Sequence, residues 1–102
     1  MKLDRTKIEK NLEDFIQKII YKTMHIEGTT TITAVSYLGD MRITSVTVDT
    51  IQNDEFDLEE STAIALEKCK HKTYDVLYEF EIYYLYRESG LIDSLPHQPE
   101  QY

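Results

Sequence analysis

Tryptophan is absent from this chain of 102 residues, cysteine occurs once, proline twice and glycine three times. Each scarcity removes a class of explanation. The lone Cys69 has no partner for an internal disulfide, a usage that fits a reducing compartment. So little Gly and Pro excludes collagen-like and low-complexity chains, and leaves no glycine-rich loop to cradle a phosphate. No apolar run approaches the roughly 18 residues of a membrane span. Met1-Lys2-Leu3-Asp4-Arg5 leads into no hydrophobic signal segment, so a cytoplasmic location without a membrane partner is expected. Basic residues are scarce as well: 11 Lys and Arg stand against 19 Asp and Glu, a net charge of −8.

What remains is the composition of one small folded domain, 41 % hydrophobic and 29 % charged. The domain is expected over residues 1–90, with a flexible tail over 91–102. The charge is unevenly placed. Residues 1–50 are neutral, and residues 51–102 carry the whole excess of −8. Such a balance disfavours indiscriminate adhesion to nucleic acid or anionic lipid, but leaves room for a local basic stripe on the neutral half.

The pattern along the chain reads as helix, strands, helix. Ile8, Leu12, Phe15, Ile16 and Ile19 recur at helical spacings and predict a helix over residues 4–24. At roughly 100° per residue, Lys7, Lys10, Lys18 and Lys22 fall on its opposite side, in a stripe about 120° wide. Asp14 lies within that stripe and Asp4 at its edge. Residues 29–37 and 41–48 are rich in β-branched types, and Gly39-Asp40 between them predicts an antiparallel hairpin. Residues 23–27 add a shorter strand before Gly28. Residues 50–57 form a polar connection, in which Asp57 or Asp54 caps the next helix. From Leu58 to about Glu88 there is neither Gly nor Pro. This predicts one long helix, or a helix pair broken near Lys70-His71-Lys72-Thr73.

The second half of that helix is apolar on two sides. Val76, Phe80, Tyr83 and Tyr84 continue the face begun by Leu58, Thr62, Ala65, Leu66 and Cys69. Tyr74, Tyr78, Ile82 and Leu85 lie roughly opposite. A helix apolar all round is buried or shared, and a chain this small has little core in which to bury it. Tyr74, Tyr78, Ile82 and Leu85 are therefore the expected dimer or partner interface, since tyrosine joins an apolar body to a polar tip.

Catalytic chemistry finds no support. His25, His71 and His97 are scattered, and Cys69-Lys70-His71 is too short a cluster for a zinc site. Asp54, Asp57, Glu59 and Glu60 resemble an acidic helix cap and lack the glycine and ligand spacing of a calcium loop. A lone cysteine on a helical face reads as a small core residue. Neither an enzyme, nor a cofactor, nor a metal is expected.

Several stretches together resemble the YbaB/EbfC family of small bacterial nucleoid-associated proteins. They are Ile26-Glu27-Gly28, then Ile32 to Val35, Gly39, and Ser45-Val46-Thr47-Val48-Asp49. Leu58-Glu59-Glu60 with Ala63, Ala65 and Cys69 resembles the opening and the small-residue face of that family's long helix. Ser89-Gly90-Leu91 through Leu95-Pro96 resembles its end. The likeness covers nearly the whole chain. The chain departs from the family in its short Thr29-Thr30-Thr31 loop, in Thr50 after Asp49, and in a late helix rich in Tyr and Glu.

The resemblance implies an α+β fold: an N-terminal helix, a small three-stranded antiparallel sheet and a long C-terminal helix or helix pair, assembled as a homodimer. It also implies duplex-DNA binding with little sequence preference, and a place in the nucleoid. The family's DNA contacts are associated with its terminal helices, which here points to Lys7, Lys10, Lys18, Lys22 and Arg87. The alternative from the residues themselves is an acidic protein-interaction module, such as an adaptor, a chaperone or a DNA mimic, working through its Tyr/Glu-rich C-terminal helix.

Overall fold

The computed structural model describes residues 4–49, 57–90 and 93–97. Its elements run α1 (Arg5–Gln17), β1 (Ile19–His25), β2 (Thr31–Leu38), β3 (Met41–Asp49) and α2 (Leu58–Glu88). This is the α+β order expected from the sequence. The expected polar connection lies almost wholly outside the described residues, as do both ends of the tail, and residues 93–97 are exposed.

Asp4 caps α1, its carboxylate accepting from the backbone N–H groups of Thr6 (3.0 Å) and Lys7 (3.3 Å). The helix then ends at Gln17, seven residues before the expected residue 24. Ile19-Ile20-Tyr21-Lys22-Thr23 continues the helical spacing but is also β-branched and aromatic. Pairing with β2 along its whole length, Ile19 to Leu38 through His25 to Ile32, makes it a strand instead. The expected strand at 23–27 is thereby corrected to Ile19–His25.

The sheet has the order β1-β2-β3, antiparallel throughout. Gly28 has a φ of 81° and Gly39 a φ of 64°, each in a tight connection where a side chain would be strained. Gly39-Asp40 is a two-residue turn with the left-handed residue first, the type II′ pattern that suits the twist of a hairpin. The β2–β3 register shifts between Ser36 and Tyr37, so Ile43 is an extra residue on β3. The bulge lets Ile43 pack into the core while its neighbour Thr44 also stays buried.

Helix α2 is unbroken through Lys70-His71-Lys72-Thr73, so the helix-pair alternative gives way to one helix of 31 residues. Asp57 caps it, accepting from the Glu60 N–H at 3.1 Å. Its buried residues are Ser61, Ala65, Cys69, Thr73 and Leu77, at a strict spacing of four. Four residues advance 400° around a helix, so this stripe drifts about 40° per step. By Leu77 it has moved through about 160°. The first half of α2 therefore faces the sheet, and the second half turns its contacts toward α1.

Two clusters form the core. Ile32, Ala34, Ala65 and Cys69 join the sheet to the first half of α2. Ile8, Leu12, Ile19 and Leu77 join α1, the sheet and the second half of α2. Small residues in the first cluster let helix and sheet approach closely. Between them runs a buried polar chain. Thr73 Oγ1 lies within hydrogen-bond distance of the Cys69 carbonyl (2.6 Å) and of Ser36 Oγ (2.7 Å), its one proton serving one of them at a time, and Ser36 Oγ accepts from the Thr44 N–H at 3.3 Å. Beside it, burial raises the pKa of the Tyr21 phenol, Cys69 adds to the rise, and a hydrogen bond with Thr73 opposes it. Removing the Thr73 hydroxyl leaves buried Ser36 with only its longer contacts to the Thr44 N–H (3.3 Å) and carbonyl (3.4 Å). Thr73→Val is expected to lower the unfolding free energy by about 1–3 kcal/mol, with Thr73→Ser recovering most of it in urea titrations.

Candidate interaction surface

Of the candidate DNA-contacting residues, Lys7 and Lys10 lie on α1, Lys18 is its C-cap residue, and all three are exposed. By helical geometry Lys7 and Lys18 lie about 20° apart around the axis, with Lys10 about 60° away. Together they span about 16 Å along it. Asp14 sits among them. Lys18 also lines a shallow cleft with Asn11, Asp14, Phe15, Glu81 and Tyr84, so two carboxylates are its neighbours.

Lys22 is separated from this group. The early end of α1 moves it onto β1, where it faces the side of the sheet away from the helices. The expected four-lysine helical stripe is thus corrected to three residues on α1 and its cap, because residues 19–25 pair as a strand. Lys22 Nζ sits 5.4 Å from the centroid of the Tyr37 ring, within the range of a cation–π contact. Arg42 is the cross-strand partner of Tyr37 and shares that face. Sequence pattern alone does not single out Arg42. Its signal is the two-residue alternation that places it with Lys22, and it becomes visible only once β1 is recognised as a strand. Arg87 stands in the last turn of α2. The lysines in the middle of α2 are partly engaged by the fold: Lys70 lies 5.8 Å from the Tyr21 ring centroid, and Lys72 donates to the Ser45 carbonyl at 3.3 Å.

Of the expected interface residues Tyr74, Tyr78, Ile82 and Leu85, Tyr74 is exposed and the other three pack inward. Tyr78, Ile82 and Leu85 are partly buried against the cluster of Ile8, Leu12, Ile19 and Leu77, serving the chain's own core. Tyr74 stacks at a tilt with Tyr78, centroids 6.1 Å apart. The open side carries Phe80, Tyr83 and Tyr84, at 58 %, 59 % and 54 % exposure. The inward packing of Tyr78, Ile82 and Leu85 follows from the drift of the buried stripe. On the side in line with Ala65 and Cys69, Val76 is half-buried but Phe80 and Tyr83 are exposed, while Tyr78, Ile82 and Leu85 pack on the cluster that includes α1. Leu12, Phe15, Leu38, Leu77, Phe80 and Tyr84 frame an apolar notch of about 230 Å³ where α1, the sheet and α2 meet. Glu81 at its rim accepts from the Asn11 amide at 2.9 Å.

Among the described residues, no three His, Cys, Asp or Glu are grouped to hold a metal ion. Cys69 is fully buried, and His71 makes only an exposed contact with Glu67 at 3.4 Å. No described helix is long and apolar enough to cross a membrane. Comparison with known proteins finds no matching family model, no similar curated protein and no matching solved structure.

Proposed function

We propose that this chain is a non-enzymatic, homodimeric protein of the nucleoid-associated kind, binding duplex DNA in the cytoplasm with little sequence preference. The observation that carries this reading is the element order α1-β1-β2-β3-α2, ending in one uninterrupted helix of 31 residues. That is the arrangement the YbaB/EbfC resemblance implies. Lys7, Lys10 and Lys18 supply the phosphate contacts from one side of α1. Lysine meets phosphate as a point charge and reads no base, which suits sequence-tolerant binding.

The dimer has support of its own. Among the described residues, fourteen large hydrophobic residues are exposed against eight hydrophobic residues buried, a balance suited to a chain that shares surface with another. The radius of gyration is 18.5 Å, against about 13 Å for a compact monomer of this length.

A second reading is favoured by the open side of late α2. Phe80, Tyr83 and Tyr84 stand exposed beside Glu79, Glu81 and Glu88, a surface suited to a basic or amphipathic protein partner. Fluorescence anisotropy with a labelled duplex across a salt series separates the two. Affinity that falls steeply with salt supports phosphate contact. No binding at low salt by a folded dimer leaves the protein-interaction module standing.

A further inference from the structure

Building on the homodimer in the reading above, we infer that the open strip of α2 centred on Tyr83 is a self-pairing surface. The last turns of α2 pack antiparallel against the same turns of a second copy, about a two-fold axis at Tyr83.

The strip has the spacing of a helix–helix seam. Val76, Phe80, Tyr83 and Arg87 recur at four, three and four residues, the alternation that keeps one side of a helix turned to a neighbour. Tyr83 and Arg87 lie roughly opposite the Tyr78–Ile82–Leu85 side that packs on the core, while Val76 is half-buried and Phe80 borders the notch beside α1. Phe80 and Tyr83 are each more than half exposed.

Charge selects the direction and the register. Glu79 and Arg87 lie four residues before and four after Tyr83, both exposed. Antiparallel pairing about Tyr83 sets Glu79 of each copy level with Arg87 of the other, twice over. Parallel pairing would set Glu79 against Glu79 and Arg87 against Arg87. Moving the axis one turn back, to Phe80, would set Glu79 opposite Glu81. Only the Tyr83 register among these joins opposite charges, and at interaxial distances of about 8–10 Å both side chains reach across. The two Tyr83 rings meet on the axis with Phe80 on either side, an aromatic cluster of the kind that anchors interfaces.

Shape permits the arrangement. In each copy the sheet packs along α2 from Ala65 to the cluster around Leu77, with Leu38 reaching the notch beside Phe80, and Tyr83 and Arg87 are exposed, so antiparallel overlap of the last turns puts the two sheets toward opposite ends. An isologous contact needs one patch that complements itself, and a strip with Glu79, a central tyrosine and Arg87 does so.

Sedimentation equilibrium on the full chain tests the pairing. The wild type is expected to be dimeric. E79R and R87E each place like charges together at two symmetry-related points, and each is expected to weaken the dimer about tenfold or more. The double exchange E79R/R87E restores opposite charges and is expected to return within about threefold of wild type. Y83C is expected to form a disulfide-linked dimer under mild oxidation, whereas wild-type Cys69, fully buried, does not. A monomeric wild type, single exchanges without effect, or a dimeric Y83C that resists cross-linking each overturns the inference. A dimer that behaves as described but binds no DNA retires the nucleic-acid reading alone.

Discussion

Exchanging Lys7 and Lys18 for glutamate is expected to abolish duplex binding while leaving the fold and the dimer intact. Both side chains are exposed and lie outside the two core clusters, so the stability cost should be small. The binding cost should be large. Three lysines on α1 and its cap give six phosphate contacts per dimer, and each contributes about −0.9 to the slope of log affinity against log salt. Wild-type affinity should then fall about 10³-fold between 50 and 200 mM salt. The double variant keeps only Lys10 in each copy, for an expected slope near −2, and adds carboxylates that repel the backbone. Binding with an unchanged slope would move the contact off α1. The uncovered face of the sheet, with Lys22 and Arg42, would be the next surface to change.

The second large effect concerns Leu12, which is 1 % exposed and packs with Ile8, Ile19 and Leu77. This cluster holds α1 to the second half of α2. Leu12→Ala is expected to lower stability by about 3–4 kcal/mol, a large share of the roughly 5–15 kcal/mol typical of a small domain. Urea unfolding would give the loss. Hydrogen exchange would place it, with protection falling first in α1. Phe15→Ala, at 43 % exposure, should cost about 1 kcal/mol. Equal losses at the two positions would mean that the notch beside Phe15 is filled in solution.

The architecture was legible because its local signals agree with one another. Gly39-Asp40 between two β-branched runs fixed the hairpin, and a stretch from Leu58 without Gly or Pro fixed the long helix. Two features were hidden for physical reasons. Ile19 through Tyr21 satisfies both a helical and a strand pattern, and only pairing with β2 decides between them. That choice moved Lys22 off the helix and broke the expected stripe. The roles of the two apolar sides of α2 were hidden because a stripe spaced at four winds around the helix. A reading that carries one fixed face from Ala65 to Tyr84 follows the wrong side after Thr73. The small residues at Ala65 and Cys69 mark where the sheet lies, but nothing local says where α1 takes over.

The three strands are consecutive in the chain, and both connections between them are short. On the ribosome, such a meander can pair as soon as residue 49 has emerged, because its contacts are local. Its cover cannot form so early. Ala65 and Cys69, which shield Ile32 and Ala34, are made later, and Leu77 and Glu81, which receive Leu12 and Asn11, later still. At roughly 5–20 residues per second, the interval until Glu88 is added lasts about 2–8 s. During that time Ile32 and Ala34 lack the part of α2 that covers them, or the rest of α2 that completes the fold. Nascent chains on one message are neighbours in the same state, so the interval in which α2 is still unmade is when a cell would need to shelter this protein.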